Sequence, residues 1–460
     1  MKLSNQEYIK QLDFLEQKNG LYNIVVGGVP LWRLIRFRYR VSFLKNVNGF
    51  TNKTTKNNID IIHIIKWSIV SVYELCKVLL SRKQDTTLFL PFPRLEFESG
   101  IYYDKFTDPV IAKTTFPGDT VIFQNSLGGR YSNPRTNGDK TIKIDCLSYI
   151  SKVVSLLLLP FVLFFYKSRL SLLKKRLATI YSIEKFFSLK LALIIGTFII
   201  NRLLYKILFK ILDVKSVFLV SRTVFIPQIV AAHDLKIPIY ELQHGATPAE
   251  SALYTGPYNA KVDPDLFLCF GRLWVGEQFG LPLPQVKNIG WALKDYQNLY
   301  KGIVENHKRL LFISYPAITS KIISVLKTLS LNNTYYTYVL RLHPQEALSD
   351  SQQKDLEALP NVKVEHYTKN VQQSILESKV VFGDKSTVLY EALSLGKTVR
   401  QINFGELKRD HSSLEESLFR PLDTIDDFFT SLEDKDEKVT HSTDIYSNFD
   451  TSLMNDILNI

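Results

Sequence analysis

Three short segments carry residue types and spacings that could do chemistry. Residues 240 to 250, "YELQHGATPAE", set an imidazole, His244, directly before Gly245 and between two carboxylates, Glu241 and Glu250. Glycine admits close backbone approach to a ligand, so proton transfer with an acceptor hydroxyl, or its orientation, is the chemistry expected there. In "RLHPQE" at 341 to 346, the strand period of two puts Arg341 and His343 on one face, and Pro344 halts the strand so that the ring stands at its end. An imidazole so placed can donate to phosphate or carboxylate. In "VVFGDKSTVLYEALSLGK" at 380 to 397 an apolar strand runs into Gly383 and Asp384. Lys385, Ser386 and Thr387 follow at the start of a helix that carries Glu391 one turn on. Unpaired N–H groups and the dipole at such a start favour an anion, and Glu391 could accept from ribose hydroxyls. The plainer alternatives are helix capping by Ser386, a turn at His244 and a surface histidine at 343.

The elements that would position these residues are short apolar runs separated by helical spacings. "TTLFLPF" (86–92), "DTVIFQ" (119–124), "TIKIDCL" (141–147), "SVFLVS" (216–221), "IPIYELQ" (237–243) and "DLFLCFG" (265–271) form one series. "KNIGW" near 287, "RLLFISY" (309–315), "YTYVLRLHP" (336–344), "VKVEHY" (362–367), "KVVFGD" (379–384) and "KTVRQINF" (397–404) form a second. Continuous apolar runs suit buried parallel strands, and two series alternating with helices predict an α/β protein with two doubly wound, Rossmann-like domains facing a cleft. Ligands in such sheets lie beyond the carboxyl ends of the strands, which selects His244, His343 and Ser386. The expected boundaries are an N-terminal helical accessory region at 1–85, an acceptor domain at 86–290 with a basic apolar helical insertion at about 150–212, a donor domain at 291–425 and an acidic tail at 426–460.

At 460 residues, with 45% apolar and 22% charged residues, two domains with ordinary cores are expected. Three cysteines, Cys76, Cys146 and Cys269, have no paired spacing and suit a reducing compartment. "MKLSNQEYIKQLDFLEQ" lacks the apolar run and cleavage site of a secretory signal, so a cytoplasmic location is expected. The net charge of +12 is unevenly spread. From Lys152 to Lys210 there are eleven Lys or Arg and one acid, a balance of +10; from Gly405 to Ile460 there are fourteen acids and five bases, a balance of −9. The bases lie among "LLLLPFVLFF", "LALIIGTFII" and "LLYKILFKIL", the mixture suited to the surface of an anionic membrane, or to core helices with solvated basic faces. "VVSLLLLPFVLFFY" has 14 residues, short of the roughly 20 that span a bilayer. No basic stripe suits nucleic acid, and no acidic pair or histidine cluster has metal spacing.

On these residues the chain resembles the GT-B glycosyltransferases of bacterial surface-polysaccharide (capsule and lipopolysaccharide O-antigen) assembly, in particular the capsule-synthesis Kdo transferase-like proteins and, more distantly, polyglycerol- or polyribitol-phosphate polymerases. The matching positions are His244-Gly245, His343-Pro344, Ser386-Thr387 and Glu391. "GGVPLWRLIRFRYR" and "YYDKFTDPV" are similar to segments of such proteins, and the resemblance makes Asp104 and Asp108 candidate sugar-side carboxylates. It implies that His343, Ser386 and Thr387 hold the donor phosphate, that Glu391 approaches the ribose, and that His244 acts near the acceptor. It implies no cofactor and no bound metal, with a CMP-, UDP- or GDP-linked sugar as substrate and a glycan or lipid-linked glycan as acceptor at the inner face of the cytoplasmic membrane. The polymerases carry a Lys soon after the His-Gly pair and an Asp-Tyr before the serine pair. Here "HGATPAE" and "GDKST" stand instead, which makes a CDP-glycerol-type polyol-phosphate donor a lesser alternative. A nucleotide-sugar epimerase and a non-catalytic assembly factor are the other readings. Trp32 among Arg33, Arg36, Arg38 and Arg40 is expected to be buried under a basic helix.

Overall fold

The computed structural model describes residues 5–47, 61–81, 83–92, 95–98, 100–127, 130–181, 188–248, 251, 253–293, 302–316, 318–343, 346–366, 369–409, 411–433 and 442–458. The N-terminal region forms helix α1 (Asn5–Lys18) and a hairpin of β1 (Val25–Val26) and β2 (Val29–Pro30). Helices α2 (Leu31–Val47) and α3 (Ile61–Leu80) follow.

The first sheet begins with β3 (Thr86–Leu90), all five residues of which are buried. A hairpin of β4 (Glu96–Glu98) and β5 (Ile101–Tyr103) and the short helix α4 (Asp108–Lys113) lead to β6 (Thr120–Gln124) and β7 (Thr141–Lys143). Three helices follow, α5 (Asp145–Leu157), α6 (Leu159–Tyr181) and α7 (Ser188–Ile211), before β8 (Val214–Val220). Helix α8 (Ile226–Asp234) and strands β9 (Ile239–Leu242), β10 (Leu266–Cys269) and β11 (Val286–Asn288) complete the sheet. The order is β11-β10-β9-β8-β3-β6-β7 and every neighbouring pair is parallel. The "KNIGW" run, read with the second series, is the edge strand of this first sheet.

The second sheet holds β12 (Asn306–Ile313), β13 (Thr337–Arg341), β14 (Val362–Glu365), β15 (Ser378–Gly383), β16 (Thr398–Ile402) and β17 (Arg420–Leu422). Helices α9 (Thr319–Asn332), α10 (Asp350–Glu357), α11 (Val371–Leu376), α12 (Thr387–Ser394) and α13 (Ser413–Leu418) connect them, and α14 (Ile425–Ser431) follows. The order is β14-β13-β12-β15-β16-β17, again all parallel. Strand β17 gave no sequence signal: three residues including Pro421 are tolerated only at an edge, where a missing N–H costs no ladder bond. In each sheet the chain works outward in one direction and then in the other, so the order reverses between β3 and β8 and between β12 and β15. In open parallel sheets such a reversal is where ligands bind, beyond the carboxyl ends of the strands.

Helices α5 and α6 meet at 77°. Pro160 stands at the second position of α6, where its missing N–H is harmless, while its ring disfavours continuation of the preceding helix. Helix α7 has the length and apolarity to cross a bilayer, yet its Tyr205, Leu208 and Phe209 are buried with Leu88 and Val217 in the core of the first sheet.

The C-terminal stretch departs from the expected tail. Helix α15 (Ser442–Ile445) leads to Tyr446, which packs 4.4 Å from Trp291 between ring centroids, and α16 (Thr451–Leu458) buries Met454 against Phe89, Phe218 and Tyr240 of the first sheet. Leu453, Met454, Ile457 and Leu458 form an apolar stripe at helical spacing, a signal that the net acidity masked. The "DKDE" run at 434–437 lies outside the described residues.

Candidate active site

The carboxyl ends of β12 and β15 run into Ser314-Tyr315 and Asp384-Lys385-Ser386. Tyr315 donates to Asp384 at 2.6 Å, and Arg409, from the loop after β16, pairs with the other oxygen of Asp384 and with Glu415 at 2.7 Å. Burial works to raise Glu415, but the hydrogen bond and charge of Arg409, with Ser412, outweigh it and hold the carboxyl at about 2. The turn before α12 is thereby fixed. Ser386 accepts from the Val388 N–H at 3.2 Å, so its hydroxyl is the helix cap. Lys385 is exposed at the same turn, its pKa lowered by the surrounding protein and then by Arg409. Gly383 admits Leu389, whose side chain would lie 3.1 Å from a Cβ there.

Thr387 does something else. Its hydroxyl accepts from the Ala246 N–H at 3.0 Å, and a Cβ on Gly245 would lie 3.2 Å from the same oxygen. The His-Gly turn after β9 therefore sits against the first residue of α12, with the absence of a side chain at 245 allowing the approach. Lys105 adds a second bridge between the domains, 3.4 Å from Glu391 and 3.0 Å from Glu96. Glu391 is buried, and burial raises its pKa against the opposing charge of Lys105. The expected contact with ribose is thus replaced by an interdomain ion pair.

His343 stands at the end of β13, its backbone N–H donating to Glu346 at 3.0 Å, while Ser314 donates to the other oxygen of Glu346 at 3.1 Å. Glu346 thus ties the ends of β12 and β13 together. Arg341 shares the strand, yet it is buried, donating to Glu365 at 2.5 Å and to the Lys369 carbonyl at 2.6 Å. That engagement takes it out of the expected donor-binding set.

Three further expectations are corrected by burial. Glu241 is wholly buried and accepts from the Arg222 N–H at 2.9 Å and from its guanidinium, which reaches Asp263 at 3.2 Å. It is part of an ion-pair network and is shielded from a substrate. Asp104 caps the following turn, accepting from Thr107 N–H at 2.7 Å and Phe106 N–H at 3.0 Å, and burial followed by the charge of Asp108 raises it to about 6. Asp108 is held by Arg135 at 3.1 Å and Asn137 at 3.0 Å. Both aspartates build the turn that presents Lys105 to Glu391 and sets the Phe106 ring edge-on to His244, 6.4 Å between centroids. Glu250 and Pro344 lie outside the described residues.

His244 also meets Tyr254, whose hydroxyl is 3.2 Å from Nδ1. Residues flanking Tyr254 are gripped from the N-terminal region. Arg36 donates to the carbonyls of Thr255 and, at 3.2 Å, Leu253; Arg40 donates to the Thr255 hydroxyl at 2.6 Å and to Glu16 at 2.7 Å; Arg33 pairs with Asp263. Trp32 is buried as expected, but so are Arg33, Arg36 and Arg40, which makes α2 a clamp on the first domain. Burial and then Arg33 lower Arg36 to about 10, so it remains charged at neutral pH. Sequence reasoning missed Tyr254, Lys105, Phe106, Tyr315, Glu346 and Arg409. Of these, Tyr315 follows a strand directly and the strand-end rule would have found it.

No protein-family model matches the sequence, and no curated protein matches it. Among solved structures, UDP-GlcNAc 2-epimerase from Methanocaldococcus jannaschii is similar with a TM-score of 0.47 and 8% identity, covering 82% of this chain and 99% of that one. The wall teichoic acid polymerase TagF gives 0.43 and 11%, covering 92% and 96%, and MurG from Acinetobacter baumannii gives 0.38 and 12%, covering 57% and 80%. The chain has the GT-B fold. Its own topology carries that statement: two all-parallel, doubly wound sheets with the carboxyl ends of β9 and β15 brought together through Ala246 and Thr387.

Proposed function

We propose that this chain is a glycosyltransferase that moves a sugar from a nucleotide-sugar donor to a growing, lipid-linked bacterial surface polysaccharide of the capsule or lipopolysaccharide type. The observation that carries the reading is the 3.0 Å contact between Ala246 and Thr387, which seats the His244-Gly245 turn of one sheet against a helix start at the order reversal of the other. A cleft with an imidazole on one wall and an anion-favouring helix start on the other suits group transfer away from a phosphate. In this reading the donor phosphate lies at the start of α12 beside Lys385 and His343, and the acceptor enters along the turn that holds His244.

The acceptor's lipid suits the outer face of α5 and α6. Leu156, Leu157, Phe161, Phe164 and Phe165 are exposed around the α5–α6 elbow, with Lys152, Lys167 and Arg169 exposed beside them. Apolar burial and attraction of anionic headgroups add on such a surface, which supports peripheral attachment at the cytoplasmic face of the membrane.

Thermal unfolding in the presence of CMP, CDP, UDP or GDP tests the donor half of the reading. One nucleotide is expected to raise the melting temperature, corresponding to about 2.7 kcal/mol at a hundredfold excess over its dissociation constant. His343→Ala and Ser386→Ala should diminish the shift measured within each variant, since Ser386→Ala also removes a cap contributing about 1 kcal/mol. A flat response to all four nucleotides would remove the basis of the proposal.

A further inference from the structure

We infer that Tyr254 fixes the tautomer of His244, with Arg36 of the N-terminal helix α2 holding Tyr254 in place, so that His244 offers a substrate an N–H donor on Nε2 in place of a basic lone pair. The inference deepens the site reading above and rests on His244 lining the substrate cleft.

The Tyr254 hydroxyl is buried, and among the described residues its one hydrogen-bond partner is His244 Nδ1, at 3.2 Å. A phenol has one proton to give. If Nδ1 carried the imidazole proton and donated to the phenol oxygen, the phenolic proton would be left buried with nothing among those residues to accept it. Donation from Tyr254 to Nδ1 satisfies both groups and puts the neutral ring's proton on Nε2. Burial, and next the charge of Glu241, raise Tyr254 well above its ordinary pKa, in keeping with a phenol that retains its proton.

Tyr254 is held on every side. Arg222 lies 5.2 Å over its ring, and Phe279 and Phe267 meet it edge-on at 5.2 and 5.6 Å. Its backbone is bracketed by the Leu253 and Thr255 carbonyls, both taken by Arg36. Gly256 confirms how close that guanidinium comes: φ is 117°, and a Cβ there would lie 2.2 Å from Arg36 Nη1. A planar fork reaching two carbonyls at once is work that a lysine cannot do. The N–H on Nε2 is then suited to an oxygen on which negative charge builds during transfer. Arg36 and Tyr254 are positioning residues that act through His244.

The test is a long-range proton–nitrogen spectrum of the free, full-length protein labelled with ¹⁵N-histidine, at about pH 8.5, above the ordinary imidazole range. His244 is assigned by the signals lost in His244→Gln. The expected pattern is protonated Nε2 with bare Nδ1. Tyr254→Phe, which keeps the packed ring, should shift these signals towards a mixture of tautomers, and Arg36→Lys should do so to a smaller extent. A proton on Nδ1 in the unaltered protein, or a spectrum unmoved by Tyr254→Phe, would overturn the inference; a spectrum unmoved by Arg36→Lys would overturn its Arg36 part. No donor or acceptor is present, so this result is independent of the sugar-transfer reading, whose failure would appear in the nucleotide titration.

Discussion

His244→Ala is expected to slow transfer about a hundredfold or more while leaving nucleotide binding within about twofold of the unaltered protein. The rate loss is the magnitude found when a positioned proton-transfer group or a charge-stabilising donor is deleted. Retention of binding follows from geometry. His244 touches Tyr254 and Phe106 of its own domain, whereas the anion-favouring start of α12 is built by Asp384, Arg409, Glu415 and the cap of Ser386. The two walls are joined by the Ala246 N–H on Thr387 and by the Lys105–Glu391 pair, and the substitution removes neither. Steady-state transfer kinetics beside the nucleotide melting shift separate these two consequences. Loss of both together would show that the His-Gly turn supports the donor site, and an unchanged rate would exclude His244 from the chemistry.

The second large effect is on stability and falls on Glu241. Glu241→Ala should cost about 3 kcal/mol, at the low end of the range for breaking a buried ion pair, because Asp263 remains beside Arg222. Burial works against the Glu241 carboxylate, and the charge and hydrogen bonds of Arg222 oppose that effect. The loss arises from what is left behind: an Arg222 guanidinium and backbone N–H without their carboxylate. The measurement is the urea midpoint of the first unfolding transition, followed by Trp fluorescence. A change below about 0.5 kcal/mol, the ordinary scale of a surface substitution, would contradict the structural role given to Glu241 and return it to the list of reactive carboxylates.

These two residues show where the sequence is legible and where it is not. Twelve of the thirteen strands of the large sheets were signalled because buried parallel strands are continuous apolar runs, and the strand-end rule then located the His244, His343 and Ser386 turns from local information alone. Glu241 stands three positions before His244 and reads equally well as a carboxylate that orients it or replaces it as base. Its role is decided by Arg222, in the turn just past the neighbouring strand β8, and by Asp263 beyond it, partners that no local spacing reveals. The same holds more strongly for Arg36, whose carbonyl partner in Thr255 is 219 positions away. Asp104 and Asp108, which the resemblance makes candidates, act through the turn they build, and the intervening Lys105 and Phe106 make the contacts. At the C-terminus, the acids lie ahead of α16, which holds Asp456 alone, while the stripe around Met454 determines where the helix packs.

The most direct measurement of the central claim is product analysis with nucleotide-sugar donors, incubated with the full-length protein in the presence and absence of a lipid-linked glycan acceptor. The account predicts that free nucleotide and a glycan longer by one sugar appear together, in equal amounts, and only when acceptor is present. Conversion of the donor sugar to an isomer without acceptor, or bound nucleotide that is never turned over with any acceptor, would contradict it.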